Sequence, residues 1–143
     1  MTECIFCRII AKEAPAYVLD ESDEVIVFLS LSNHPLVVPK LHIADIYGLP
    51  SNLGAAVMEK TIDVARAVKT SLQCDGVYLT QANEHAAGQD IFHYHLHVYP
   101  CWGDGLRGAL GEFLHNAFGP EHVTEAARSV TAEKIREGLG RST

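Results

Sequence analysis

The chain has 143 residues, 48% of them apolar and 20% charged, with a formal charge of −7 when histidine is neutral. That length supports one domain with a core of its own. The acidic balance excludes sequence-independent binding to a nucleic-acid backbone, which needs clustered Lys and Arg; a small nucleotide held by backbone N–H groups is still allowed. No apolar run approaches the roughly 20 residues of a membrane span. The start, MTECIFCRII, lacks the basic residues and long apolar stretch of a signal peptide. The expected location is therefore the cytoplasm, with no membrane partner and with the four cysteines reduced. Cys4-x-x-Cys7 then reads as a metal or redox pair rather than a disulfide.

In chain order, CIFCRIIAKE predicts a short helix with Ile5, Phe6, Ile9 and Ile10 as its apolar positions. AYVLDESDEVIVFLSL reads as two strands around a polar turn at Asp20–Asp23. PLVVP is a third strand, buried on both sides, and LHIADIYGLP a helical turn ended by Gly48 and Pro50. Ser51 is placed to cap a long helix, with Leu53, Val57, Ile62, Ala65, Val68 and Leu72 roughly on one face. GVYLTQAN and DIFHYHLHVYP give the fourth and fifth strands, joined by a loop over Glu84–Gln89. Beyond Gly103, Gly105, Gly108 and Gly111 interrupt the pattern before a final amphipathic helix in VTEAARSVTAEKIREGL. A hairpin plus one long helix between strands indicates an α+β antiparallel meander rather than a Rossmann sheet. One domain is expected over residues 1–143, with a core to about residue 105 and a C-terminal helical extension from about 106.

The fifth strand poses the chemical question. In FHYHLHVYP, His93, His95 and His97 fall on alternate positions and share one face, with Tyr94, Leu96 and Val98 on the other. Three imidazoles in register can be an exposed polar face, a zinc site or a catalytic set. One ion cannot easily take all three, because a strand puts His93 and His97 about 13 Å apart. Catalysis on phosphorus suits them, since a neutral imidazole is a nucleophile and a second can meet phosphate charge. Upstream, Asn83 and Gln89 offer amide donors, and Gly88 permits close backbone approach. His85 and Asp90 read as solvated loop residues; Cys74 and Cys101 show no partner pattern.

GQDIFHYHLHVYP resembles the signature of the histidine triad (HIT) superfamily, His-φ-His-φ-His-φ-φ with φ apolar. The resemblance runs from CIFCRIIAKEAPA through PLVVPKLHI to VYPCWGDG. It implies a HIT-like fold and a homodimer that binds a purine nucleotide. It implies that His95 attacks an α-phosphorus, forming a transient nucleotidyl-histidine that water hydrolyses. His97 then matches the contact to the phosphoryl oxygens, Asn83 and Gln89 the polar loop residues around the phosphate, and His34 a fourth histidine. Ile5, Phe6, Ile9, Phe28 and Leu31 match the apolar base pocket. Relatives beginning C-x-x-C imply a structural zinc on Cys4, Cys7, His42 and His93, a closed tetrahedral set. Two departures stand out. Ser30 occupies the place of an acidic ribose-binding residue, and the loop before His34 is several residues short.

The expected function is thus a nucleotide-binding phosphohydrolase or nucleotidyl transferase acting on adenylated amines or dinucleoside polyphosphates. The alternatives are a non-catalytic nucleotide-binding regulatory dimer and a zinc hydrolase with open coordination.

Overall fold

The segments VIVFL and PLVVP carry no polar side chain, which gives both sides something to bury, and their Val, Ile and Phe residues favour strands. In the computed structural model, which describes residues 3–103 and 123–140, every residue of both is buried. They are β2 (Val25–Leu29) and β3 (Pro35–Pro39), preceded by helix α1 (Ile5–Ile10) and β1 (Val18–Glu21). After a 3-10 turn at Ile46–Gly48 come α2 (Ser51–Ser71), β4 (Gly76–Thr80), β5 (Leu96–Cys101) and α3 (Glu125–Gly140). The five strands form one antiparallel sheet in the order β1-β2-β3-β5-β4, giving the α+β HIT-like arrangement the sequence implies. The polar turn between β1 and β2 is tied by Ser22, whose Oγ accepts the Val25 N–H at 3.1 Å.

The sheet buries both faces. Val25, Val27, Leu29, Val37, Leu96 and Val98 form one core with Val57, Val64 and Val68 of α2 and Ala132 and Ile135 of α3. On the opposite face Ile26, Phe28, Leu36 and Val38 meet Phe6 and Ile9 of α1. The register Phe28↔Leu36↔His97↔Thr80 places His97 on this second face. The functional side of the sheet is therefore the α1 side.

Three local expectations need correction. The fifth strand starts at Leu96, not near Asp90, so His93 and His95 precede it. The β3–β5 ladder holds Leu36↔His97 and Val37↔Leu96. Its continuation would set Pro39 opposite Tyr94, and proline has no N–H to offer. The Tyr94 N–H goes instead to the Ile43 carbonyl at 2.6 Å. Secondly, Ser51 does not cap α2. Pro50 holds the cap position with φ −61° and ψ 142°, so Ser51 is already helical. Thirdly, the buried stripe of α2 runs Leu53, Val57, Thr61, Val64, Ala67 and Val68, while Ile62 is 44% exposed. Thr61 is admitted to the stripe because its hydroxyl donates to the Val57 carbonyl at 2.7 Å.

Helix α3 contributes to the core. A Cβ on Gly138 would lie 2.0 Å from Ser71 Oγ and 3.3 Å from the Ala67 Cβ, so α2 and α3 touch nearly backbone to backbone there. The glycines at 105, 108 and 111 lie outside the described residues. No helix among the described residues is long and apolar enough to cross a membrane.

Candidate active site and metal centre

Cys4 caps the N-terminus of α1 and Cys7 lies three residues on, a spacing that puts both thiols on one side of the helix. The segments after β3 and before β5 bring His42 and His93 to them. All four ligand atoms lie within 4.8 Å of one another, and these are the four residues the sequence resemblance selects. Cys7 Sγ is 3.2 Å from His42 Nδ1, and both thiols are 3.6 Å from His93 Nδ1. A zinc ion with Zn–S of 2.3 Å and Zn–N of 2.0–2.1 Å at the tetrahedral angle sets sulfur and nitrogen about 3.6 Å apart, so the residues fit the metal.

The protonation of the site follows from backbone carbonyls, which can only accept. His93 Nε2 lies 2.8 Å from the Pro39 carbonyl, so the proton sits on Nε2 and the Nδ1 lone pair faces the thiols. Burial lowers the His93 pKa, which keeps the ring in its ligand form. Burial, then the Cys4 thiol beside it, pushes the Cys7 thiol up.

His95 obeys the same logic with the opposite outcome. Its Nδ1 is 2.7 Å from the His93 carbonyl, so Nδ1 carries the proton and Nε2 is left bare. The rings of His95 and His97 are 4.9 Å apart, and Phe6 covers His95 edge-on at 5.1 Å. His97 Nδ1 lies 2.8 Å from His34 Nε2, and His34 stacks on Tyr99 at 3.8 Å. Burial depresses all three pKa values: His97 to about 4, His34 well below the usual 6.5, and His95 in the same direction. The cluster is therefore neutral at neutral pH. The Asp90 carboxylate works against burial at both His95 and His97.

The amides of Asn83 and Gln89 have partners within the protein. Gln89 is only 2% exposed, and its amide is consumed by the loop. Oε1 accepts the Glu84 N–H at 2.7 Å, and Nε2 donates to the carbonyls of Ala44 at 2.6 Å and Ile91 at 3.1 Å. Asn83 Oδ1 accepts from Ile46 N and Gln81 Nε2, while its Nδ2 donates to Gln81 Oε1. Both shape the loop, and Gly88 makes its turn at φ +92°. Of the apolar set, Phe6, Ile9 and Phe28 are buried together, whereas Ile5 and Leu31 are 40% and 68% exposed. Ser30 faces His34, with Oγ 3.0 Å from Nδ1.

Sequence reasoning missed Tyr99, Asp90 and Arg128. Continuing the alternation His93, His95, His97 by one step finds Tyr99. Asp90, exposed beside the buried Gln89, looked like solvated loop. Arg128 comes from α3 and donates to the carbonyls of Ser30 and Leu29, a contact across 98 and 99 residues that no local pattern signals.

A clustered set of buried imidazoles on an antiparallel sheet, beside a thiol–imidazole cluster, is the arrangement of histidine triad proteins. The chain belongs to the HIT family: the HIT domain matches residues 11–101. The protein named "Protein hit" of Bacillus subtilis is 33% identical over 133 residues, 89% of this chain and 91% of that one. The adenylylsulfatase HINT3 of Arabidopsis thaliana is 34% identical over 102 residues, 68% of this chain and 52% of its own length. Among solved structures, a zinc-bound histidine triad protein from Mycobacterium smegmatis superposes with TM-score 0.81 at 25% identity, covering 99% of this chain and 96% of its own. A hypothetical histidine triad nucleotide-binding protein from Sulfolobus tokodaii gives 0.82 at 25% identity over 96% and 93%.

Proposed function

We propose that the protein is a nucleotide phosphohydrolase or nucleotidyl transferase in which His95 Nε2 attacks the α-phosphorus of a purine nucleotide derivative. The observation that carries this reading is the contact from His95 Nδ1 to the His93 carbonyl, which leaves Nε2 bare beside His97. Nε2 bonds to phosphorus as the bond from phosphorus to the leaving group breaks, and the leaving group takes a proton from solvent, which the hydrolytic water returns in the second step. Water then attacks the nucleotidyl-histidine, and cleavage of the P–N bond restores the imidazole. His97, neutral at neutral pH, meets the non-bridging oxygens as an N–H donor rather than as a charge. The names of the adenylylsulfatase and the nucleotide-binding relative support this substrate class.

Cys4, Cys7, His42 and His93 would hold zinc, whose four protein ligands leave no position for a substrate. When bound, the metal supplies a crosslink between α1 and the two segments flanking the catalytic strand. The protein is read as a cytoplasmic homodimer, joined along the free edge of β4, where Leu79 is 41% exposed.

The test is turnover of an AMP phosphoramidate by wild type and His95→Ala. The variant should be slower by at least about a thousandfold with unchanged circular dichroism, and labelled nucleotide should be retained covalently by wild type alone. Comparable rates in the two proteins would overturn the assignment. A nucleotide-binding regulatory dimer is the second reading, favoured by the absence of a ribose-binding carboxylate at Ser30. AMP binding without any turnover by wild type would select it.

A further inference from the structure

The turn between β2 and β3 is short, and its serine is fully engaged. Ser30 Oγ accepts the N–H groups of Ser32 and His34, each at 3.2 Å, and lies 3.0 Å from His34 Nδ1. The Ser30 backbone is fixed as well: its N–H donates to the His34 carbonyl at 2.8 Å, and its carbonyl accepts the Asn33 N–H at 3.1 Å. Arg128 of α3, 9% exposed, adds Nε to the same Ser30 carbonyl at 3.2 Å and Nη2 to the Leu29 carbonyl at 3.4 Å, with its guanidinium 5.0 Å from the Tyr17 ring centroid.

We infer that Ser30, with its carbonyl held by Arg128, is a positioning residue that fixes the tautomer of His34 and, through it, which nitrogen of His97 carries the proton. A hydroxyl has two lone pairs and one hydrogen. Both lone pairs of Ser30 are taken by N–H groups, so its hydrogen is directed at His34 Nδ1, in competition with the Ser32 carbonyl, which would draw a proton onto the ring. The His34 proton then sits on Nε2 and is donated to His97 Nδ1 at 2.8 Å. His97 in turn carries its proton on Nε2. Neighbouring His95 is held in the complementary form, Nδ1–H with Nε2 bare. The pair therefore presents one nucleophilic nitrogen and one donor, the two functions that attack on a phosphoryl group requires. Ser30 acts on the imidazoles, not on a sugar.

The consequence for rate rests on the nucleotidyl-transfer reading; the tautomers do not. They are read on resting protein by two-bond 1H–15N correlation of the imidazoles at pH 7. In wild type, His34 and His97 should both be protonated on Nε2. The Ser32 carbonyl beside His34 favours the opposite form, and a wild-type His34 protonated on Nδ1 overturns the inference. In Ser30→Ala the His97 signals should shift toward a tautomer mixture, and kcat for an AMP phosphoramidate should fall roughly ten- to a hundredfold with little change in KM. Ser30→Thr should restore both. Arg128→Met should move the tautomers the same way to a smaller extent. A KM-dominated loss in Ser30→Ala with unchanged tautomers would return Ser30 to the ribose. Unaltered tautomers and rate would leave it no role here. If the tautomers behave as stated while wild type turns over no nucleotide, the functional reading fails and the brace stands.

Discussion

Gln89 illustrates how far a residue's type constrains its role. An amide in a loop beside clustered histidines reads naturally as a substrate donor, yet all three of its contacts go to half-buried or exposed backbone. Replacement by alanine strands the Glu84 N–H and the Ala44 carbonyl. Leaving such groups unpaired costs about 1–3 kcal/mol each where buried. Water reaches these half-exposed groups in part, so Gln89→Ala should lower stability by about 1–2 kcal/mol in urea titration. If stability holds while only KM rises, Gln89 does touch the substrate. The histidines were legible because their alternate spacing marks them in the sequence, although only His97 lies in the strand itself. Ser30 was not, because a hydroxyl's partners depend on how a turn closes.

At the level of elements, short wholly apolar runs announced β2 and β3 correctly, while α2 shows where an apolar pattern misleads. Its buried stripe passes through Thr61, which a hydropathy reading skips in favour of the exposed Ile62. The late start of β5 was written in Pro39, in a different strand, and became visible only once the register was known. Helix α1 has six residues, too few to persist alone in water. Phe6 and Ile9 hold one side of it and the thiol–imidazole cluster holds its start. Purified protein should contain about one zinc per chain, and Cys4→Ser with Cys7→Ser should lower Tm by about 5 °C or more. The rate per folded molecule should change far less. Metal analysis of fresh protein that finds no zinc rejects the centre.

On the scale of the whole molecule, burial of His34 and His97 sets a response to acid. Both have folded-state pKa values below the unfolded value near 6.5, that of His97 at about 4. Between those limits the unfolded chain binds more protons than the folded one. Their contribution to stability is complete above about pH 6.5 and is lost as pH falls toward 4. Urea midpoints should fall from pH 7 to pH 5 and fall less in His97→Asn. A wild-type midpoint that is flat over this range contradicts neutral buried imidazoles.

Helix α3 is translated after every strand it covers. Arg136 of α3 donates to the Val18 carbonyl across 118 residues, and Arg128 reaches the turn after β2 across 98. Chains emerge from the ribosome N-terminus first, so β1 and β2 are made long before the side chains that steady them. An unfinished copy carries its imidazoles and thiols but lacks the guanidinium at the Ser30 turn and the apolar cover from Ala132 and Ile135. In such a copy the Ser30 turn and one face of the sheet wait for α3, so the imidazoles are made before the contacts that steady them.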